Sequence, residues 1–253
     1  MTAEFVASPE LSVPHGFFTR RGGVSSGPFA SLNCSLSGLD EPEHVLENRA
    51  RAARALGATP DALVGLTQVH GDRTVVVTTA WRPGDGPRAD AAVTARLGIA
   101  LGIVTADCAP VLFADRTAGV VGAAHAGWRG AVGGVLESTL AAMCGLGATL
   151  GNIVAVVGPC IGQPSYEVAA DLRDAVLLHD AADARFFLDG VRDGRWQFDL
   201  AGYCARRLTD AGVGTVAALG LDTLVDEARF FSHRRRTLAK SGPIGHQISV
   251  ITL

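Results

Sequence analysis

Apolar positions recur along the chain with two different spacings. Over residues 43–56 (EHVLENRARAARAL) they return every three or four positions and Gly57 follows, which predicts an amphipathic helix with a glycine stop. Similar spacing marks 131–144, 167–179 and 199–211, the last opened by Asp199 as an N-cap. Other apolar runs lack that period. Residues 73–79 are rich in Val and Thr, and 97–106, 109–114, 119–125, 152–157 and 247–253 are short and almost wholly apolar, as buried strands are. Helices and strands alternate, so the pattern predicts an α/β or α+β fold and leaves the strand order open.

No repeat of 20–50 residues is present, and the Pro/Gly-rich piece 82–88 is short enough for a loop. The expectation is a single domain over residues 1–253. The longest apolar stretches, 97–106 and 117–126, are broken by Gly, Asp or His and suit strands better than membrane spans. The first residues carry neither a basic nor an apolar leader region, and five cysteines leave one unpaired, so a reducing cytoplasm is expected. Composition narrows the classes further. Of 253 residues 48% are apolar, and 22 basic against 25 acidic residues give a net charge of −3. That excludes a mainly disordered chain and disfavours a nucleic-acid binder working by bulk charge.

Three turns at predicted strand ends carry the chemistry: Thr67-Gln68-Val69-His70-Gly71, Thr105-Ala106-Asp107-Cys108, and His125-Ala126-Gly127-Trp128-Arg129-Gly130. His70, Cys108 and His125 offer two imidazoles and a thiolate, a set that suits zinc and leaves a fourth position free. Their wide separations equally fit ordinary packed residues. Pairing of 97–108 with 119–125 as neighbouring strands would bring Cys108 to His125. Arg129 lies in a Gly-flanked turn before the helix predicted from 131, where it suits a phosphate or carboxylate; the alternative is a solvated side chain. Arg20 and Ser25 flank Gly22-Gly23, a turn that either nests an anion or is merely tight. Asp107, beside Cys108, either handles a proton or caps its turn. Cys160 in Gly158-Pro159-Cys160-Ile161-Gly162 has no base near it, and the run His233-Arg234-Arg235-Arg236 reads as a solvated loop.

In this order FFTRRGGVSSGPFASLN, TQVHG, TADCAPVLF, HAGWRG, GPCIG and FFSHRR closely resemble the YfiH-like family, from about residue 15 to the C-terminus. That family has been called laccase-like multicopper polyphenol oxidase, purine nucleoside phosphorylase and peptidoglycan editing factor. The resemblance implies mixed β-sheets packed between α-helices. It implies a metal site, usually zinc, on His70, Cys108 and His125. It also implies phosphorolysis of adenosine, inosine and S-methyl-5'-thioadenosine, with adenosine deaminase activity. Two segments depart from the family pattern at the pocket edge. Leu221-Asp222-Thr223 stands where many relatives have Cys-Thr, and 240–246 stands where many have a TGR-like turn.

On this reading the enzyme takes a small nucleoside and phosphate, with Cys108, Asp107 and Arg129 as catalytic residues. Arg20, Ser25, Gln68 and Arg129 are the expected substrate contacts. Zinc would lower the pKa of a bound water to about 7 or polarise phosphate, and copper could enter in vitro. Two other readings stay open. One is an amidohydrolase that removes L-serine from a nucleotide-linked muramoyl peptide, with a Cys108–His125 pair. The other is a polyphenol oxidase, which would need a further copper centre; the seven histidines include no His-x-His.

Overall fold

The computed structural model describes residues 2–253. Two sheets lie face to face, and strands are numbered in chain order. The five-stranded sheet runs β1 (Phe5–Val6), β2 (His15–Phe18), β14 (Gln247–Thr252), β6 (Ala100–Thr105), β3 (Leu63–Val64). The six-stranded sheet runs β13 (Thr215–Ala218), β9 (Val154–Val157), β7 (Ala109–Asp115), β8 (Val120–Ala126), β5 (Ala91–Thr94), β4 (Thr74–Val76). A small antiparallel sheet of β10 (Glu167–Val168), β12 (Trp196–Phe198) and β11 (Phe187–Asp189) sits apart.

The apolar runs follow from this layering. Along β7, Leu112 and Ala114 turn toward the five-stranded sheet and join Phe17, Leu101, Ile103 and Ile251. Val111 and Phe113 turn the other way, onto the helices α3 (Val135–Gly145) and α5 (Leu200–Asp210) through Leu136, Leu140, Met143, Tyr203 and Leu208. Every residue of β7 and β8 is therefore buried. Coverage on both faces erases the alternation that a half-exposed antiparallel strand would show. The outer face of the five-stranded sheet is covered by α1 (Pro42–Ala55), whose Ala52 and Ala53 meet Phe18, Ala100, Ile248 and Val250. Mixed sheets between helices are thus the observed architecture.

The helix signals read from sequence have local causes in the structure. Pro42 opens α1 at a position whose N–H has no helical partner, and Gly57, at φ 77°, follows its end. The Asp199 side chain accepts from Gly202 N at 2.8 Å and starts α5, whose buried stripe is Leu200, Tyr203, Cys204 and Leu208. Two expectations need correction. The helix predicted over 131–144 is two helices, α2 (Trp128–Gly133) and α3, because Gly134 takes φ 103° between them. The helix predicted from 167 begins at Ala170, as α4 (Ala170–His179), because Glu167 and Val168 pair with Gln197 and Trp196. No helix among the described residues is long and apolar enough to cross a membrane.

Candidate metal centre

The chain crosses from the five-stranded to the six-stranded sheet between Thr105 and Ala109. Asp107 makes that crossing at φ 89°, and Cys108 lies immediately before β7. β7 pairs antiparallel with β8 so that Ala109 faces Ala126 and Pro110 faces His125. This register, and not a pairing of 97–108 with 119–125, carries Cys108 to His125; β6 belongs to the other sheet. His70 arrives on the loop after β3, itself at φ 60°. Non-glycine residues with positive φ are uncommon, and here two of them adjoin or form the cluster. One ligand atom from each of His70, Cys108 and His125 lies within 4.8 Å of the others. The two imidazole rings are 4.7 Å apart, edge to face.

Asp90, which sequence reasoning missed, assembles this cluster. Its carboxylate accepts from the backbone N–H groups of Val69 (3.1 Å), His70 (2.8 Å) and Gly71 (2.7 Å). Oδ1 is also 2.8 Å from His125 Nδ1. One fully buried carboxylate thus fixes the His70 loop and orients the His125 ring through Nδ1, while Cys108 bonds the same imidazole. The available signal was a lone acid in an otherwise apolar segment, Ala89-Asp90-Ala91-Ala92-Val93. Burial pushes the Asp90 carboxyl up, but His125 and the loop N–H groups hold it below the usual range.

The glycines of HAGWRG have a steric reason. A Cβ on Gly127 would sit 3.0 Å from His70 Cδ2 and 3.1 Å from Cys108 Sγ, and one on Gly130 would sit 2.7 Å from the Gly71 carbonyl oxygen. The backbone of this turn therefore forms one wall of the cluster. Burial alone would raise the Cys108 thiol, but His125 and His70 outweigh it and bring its pKa down to about 6. Burial alone would lower His125, yet Cys108 and Asp90 raise it to about 9. Two imidazoles, a thiol poised to ionise, a carboxylate behind one imidazole and a backbone cradle fit a zinc-type ion.

The cluster opens on a cavity of about 410 Å³ whose walls include Gln68, Asp107, Tyr166, His233, Arg234 and His246. Gln68 reaches it, but its amide bonds the Val104 backbone twice, at 2.8 and 2.9 Å. Asp107 also reaches it, with both oxygens engaged. Thr223 Oγ1 donates at 2.7 Å, Ser232 Oγ at 3.0 Å and Arg234 N at 2.6 Å. Asp107 therefore pins the FFSHRR segment through Ser232 and Arg234, and also holds Thr223, the residue retained at the altered 221–223 site. That segment is no free loop: α6 (His233–Leu238) begins there and puts His233 and Arg234 on the cavity wall. Burial holds the cavity-wall His246 at a pKa of about 4, so it is neutral.

Three other expected residues lie away from this cavity. Arg129 is exposed and stacks over Trp128 at 4.3 Å; the helix it belongs to starts at Trp128, not 131, and ends at Gly133. Arg20 donates to the carbonyls of Ala30 (2.8 Å) and Glu227 (3.3 Å), stacks over Phe231 and lines a separate cleft. Ser25 is buried, donating to Asp40 (2.6 Å) and accepting from Asn48 (2.8 Å). The Gly22-Gly23 turn is packed closely on the backbone of Thr2 and Ser31, so protein fills the expected anion nest. Burial pushes the Cys160 thiol up, consistent with an unreactive packing residue.

The family model described as multi-copper polyphenol oxidoreductase laccase matches residues 14–253. A purine nucleoside phosphorylase from Deinococcus radiodurans is 45% identical over 246 residues, covering 97% of this chain and 91% of that protein. Purine nucleoside phosphorylase YfiH from Escherichia coli (strain K12) is 39% identical over 218 residues, covering 86% of each chain. The crystal structure of Bacillus licheniformis hypothetical protein YfiH superposes with a TM-score of 0.87 at 32% identity, covering 94% of this chain and 92% of that one.

Proposed function

The chain belongs to the YfiH-like, multi-copper polyphenol oxidoreductase laccase family, and from that membership we propose that it is a zinc-dependent purine nucleoside phosphorylase. Its substrates in this reading are adenosine, inosine and S-methyl-5'-thioadenosine, with slow deamination of adenosine beside phosphorolysis. The observation that carries the proposal is the His70–Cys108–His125 cluster at the base of a cavity of about 410 Å³, on a chain 45% identical to a named phosphorylase. The whole of residues 1–253 is taken as one catalytic domain, working in the cytoplasm, where Cys108 stays reduced.

Zinc bound at the cluster would supply Lewis acidity to an oxygen of the substrates. The chain's own residues do the rest. Asp90 keeps the His125 ring in one orientation and one tautomer. Ile161, Leu200 and the Tyr166 ring give the cavity apolar walls against a base or ribose. Arg234 stands over the Tyr166 ring at 5.5 Å and is tied to the Glu167 carbonyl, so its charge is held at the wall. In phosphorolysis a phosphate oxygen bonds to C1′ as the C1′–N9 bond breaks. The electron pair leaves with the base, which takes up a proton. Asp107 acts on this by position, through the segment it pins. Arg129, exposed beside Trp128 and outside the cavity lining, is kept as a candidate substrate contact.

The family description favours oxidation of phenols as a second reading. Among the described residues only one cluster of three or more candidate ligands is found, so the further copper centre of a multicopper oxidase has no counterpart there.

Zinc-loaded protein given adenosine and phosphate is expected to release adenine and ribose-1-phosphate. Cys108→Ser should lose both metal and product. Release of serine from a muramoyl-serine nucleotide, with neither adenine nor inosine from adenosine, would replace this reading by the amidohydrolase.

A further inference from the structure

Helix α1 buries one arginine without an acid. Its buried residues are Val45, Asn48, Arg49, Ala50, Ala52 and Ala53. Asn48 is fully employed, donating to Ser25 Oγ and the carbonyls of Ser31 and Asn33 and accepting from Val24 N. Arg49, next to it, is 5% exposed and makes one bond, from NH1 to the Cys34 carbonyl at 3.3 Å. Its Nε and NH2 have no partner. Of the two acids on this helix, Glu43 lies in its first turn and Glu47 pairs with Arg51 and Arg54 instead. No carboxylate among the described residues forms an ion pair with Arg49.

A guanidinium does not escape burial by losing its proton, so an uncompensated one is costly to the fold. Arg49 is not sealed in apolar packing. It lines a cleft of about 190 Å³ with Ser35, Gly65, Thr67, Gln68 and Gly86, and no acidic residue is among the lining residues. Ser35, Ser37, Gln68 and Val104 are shared walls of this cleft and of the cavity over the metal cluster. Glycine is what lets the backbone lie against the cation. A Cβ on Gly65 would stand 2.9 Å from Arg49 NH2, and one on Gly86 would strike the Gly65 carbonyl. A positive charge, unpaired donors and an acid-free cleft beside the reaction cavity are the components of an oxyanion site.

We propose that Arg49 binds inorganic phosphate in a subsite beside the His70–Cys108–His125 cluster. The choice of phosphate rests on the phosphorylase reading; the buried cation and its cleft stand without it. Nε and NH2 are covered in this structure, so phosphate would reach them once the side chain shifts into the cleft it lines, and a planar guanidinium then provides a two-point contact that an ammonium does not.

Thermal unfolding of the zinc-loaded protein over a phosphate series tests this, with Arg49→Met and Arg49→Lys alongside. Phosphate should raise the Tm of the unsubstituted protein saturably and leave Arg49→Met unmoved. Without phosphate, Arg49→Met should be at least as stable as the parent, since it removes an unpaired buried charge; a merely structural arginine would give a large loss. In turnover, Arg49→Met should raise the KM for phosphate by about tenfold or more while the KM for adenosine stays within about twofold. A full phosphate-induced shift in Arg49→Met overturns the proposal. Should that variant not fold, Arg49→Lys decides, and an unaltered phosphate affinity there overturns it too. Arg49-dependent phosphate binding without any base released from adenosine sinks the phosphorylase reading and upholds the subsite. Base release by Arg49→Met at an unchanged KM for phosphate sinks the subsite alone.

Discussion

Asp90 and His125 are joined at 2.8 Å between Oδ1 and Nδ1, and the same carboxylate holds the three consecutive N–H groups around His70. Two of the three candidate ligands are therefore positioned by one buried acid that does not line the cavity. Asp90→Asn keeps the shape but offers an N–H₂ where donors already converge. It should weaken zinc binding by about 10- to 100-fold, in the range for loss of such a supporting contact, with the fold retained. Competition against a chromophoric chelator measures it; zinc affinity equal to the parent's would show that Asp90 has no part in the site.

The pair of Cys108 and His125 sets a pH dependence for metal uptake. With Cys108 brought down to about 6 and His125 raised to about 9, the metal-free pair carries a single proton between those values, on the imidazole. Metal must displace it. Apparent zinc affinity should therefore rise by about tenfold per pH unit from about 6 to about 9 and level off above. Below about 6 the thiolate also takes a proton, and the dependence should steepen. A flat profile between pH 6.5 and 8.5 in the same chelator assay would contradict this assignment of protons.

Gly127→Ala puts a methyl group against His70 and Cys108, at 3.0 and 3.1 Å. Both ligands would have to give way, so zinc content should fall sharply while circular dichroism stays unchanged. Gly133→Ala is the control: its nearest new neighbour is Asp72 Cβ at 3.8 Å, an ordinary contact, and zinc should be retained. Equal zinc content in the two variants would remove Gly127 from the cradle.

Asp107→Asn leaves the ligands in place but weakens the bonds from Thr223, Ser232 and Arg234. Loss of buried bonds to a charged acceptor should cost about 1–3 kcal/mol of stability. Because His233 and Arg234 stand on the cavity wall, the KM for nucleoside should rise with zinc content unchanged. A fall in kcat alone, at an unchanged KM and an unchanged Tm, would instead point to a direct role in proton transfer.

What the sequence determined by itself was local. Helix spacing over 43–56 and 199–211, the Asp199 cap and the stop at Gly57 are properties of consecutive residues, and each is found in the structure. The ordered motifs also pointed to His70, Cys108 and His125, which the fold brings within 4.8 Å of one another. Tertiary structure decided which distant residues meet. Cys108 reaches His125 through the β7–β8 register, a choice among strand pairings that no run of residues encodes. Arg20 and Ser25 looked available because a turn's sequence does not reveal the carbonyls and carboxylates that come to occupy it. Asp90 and Arg49 were passed over for the converse reason. A charge in an apolar segment gains meaning only when packing has shown whether its partners are present, as they are for Asp90, or missing, as they are for Arg49.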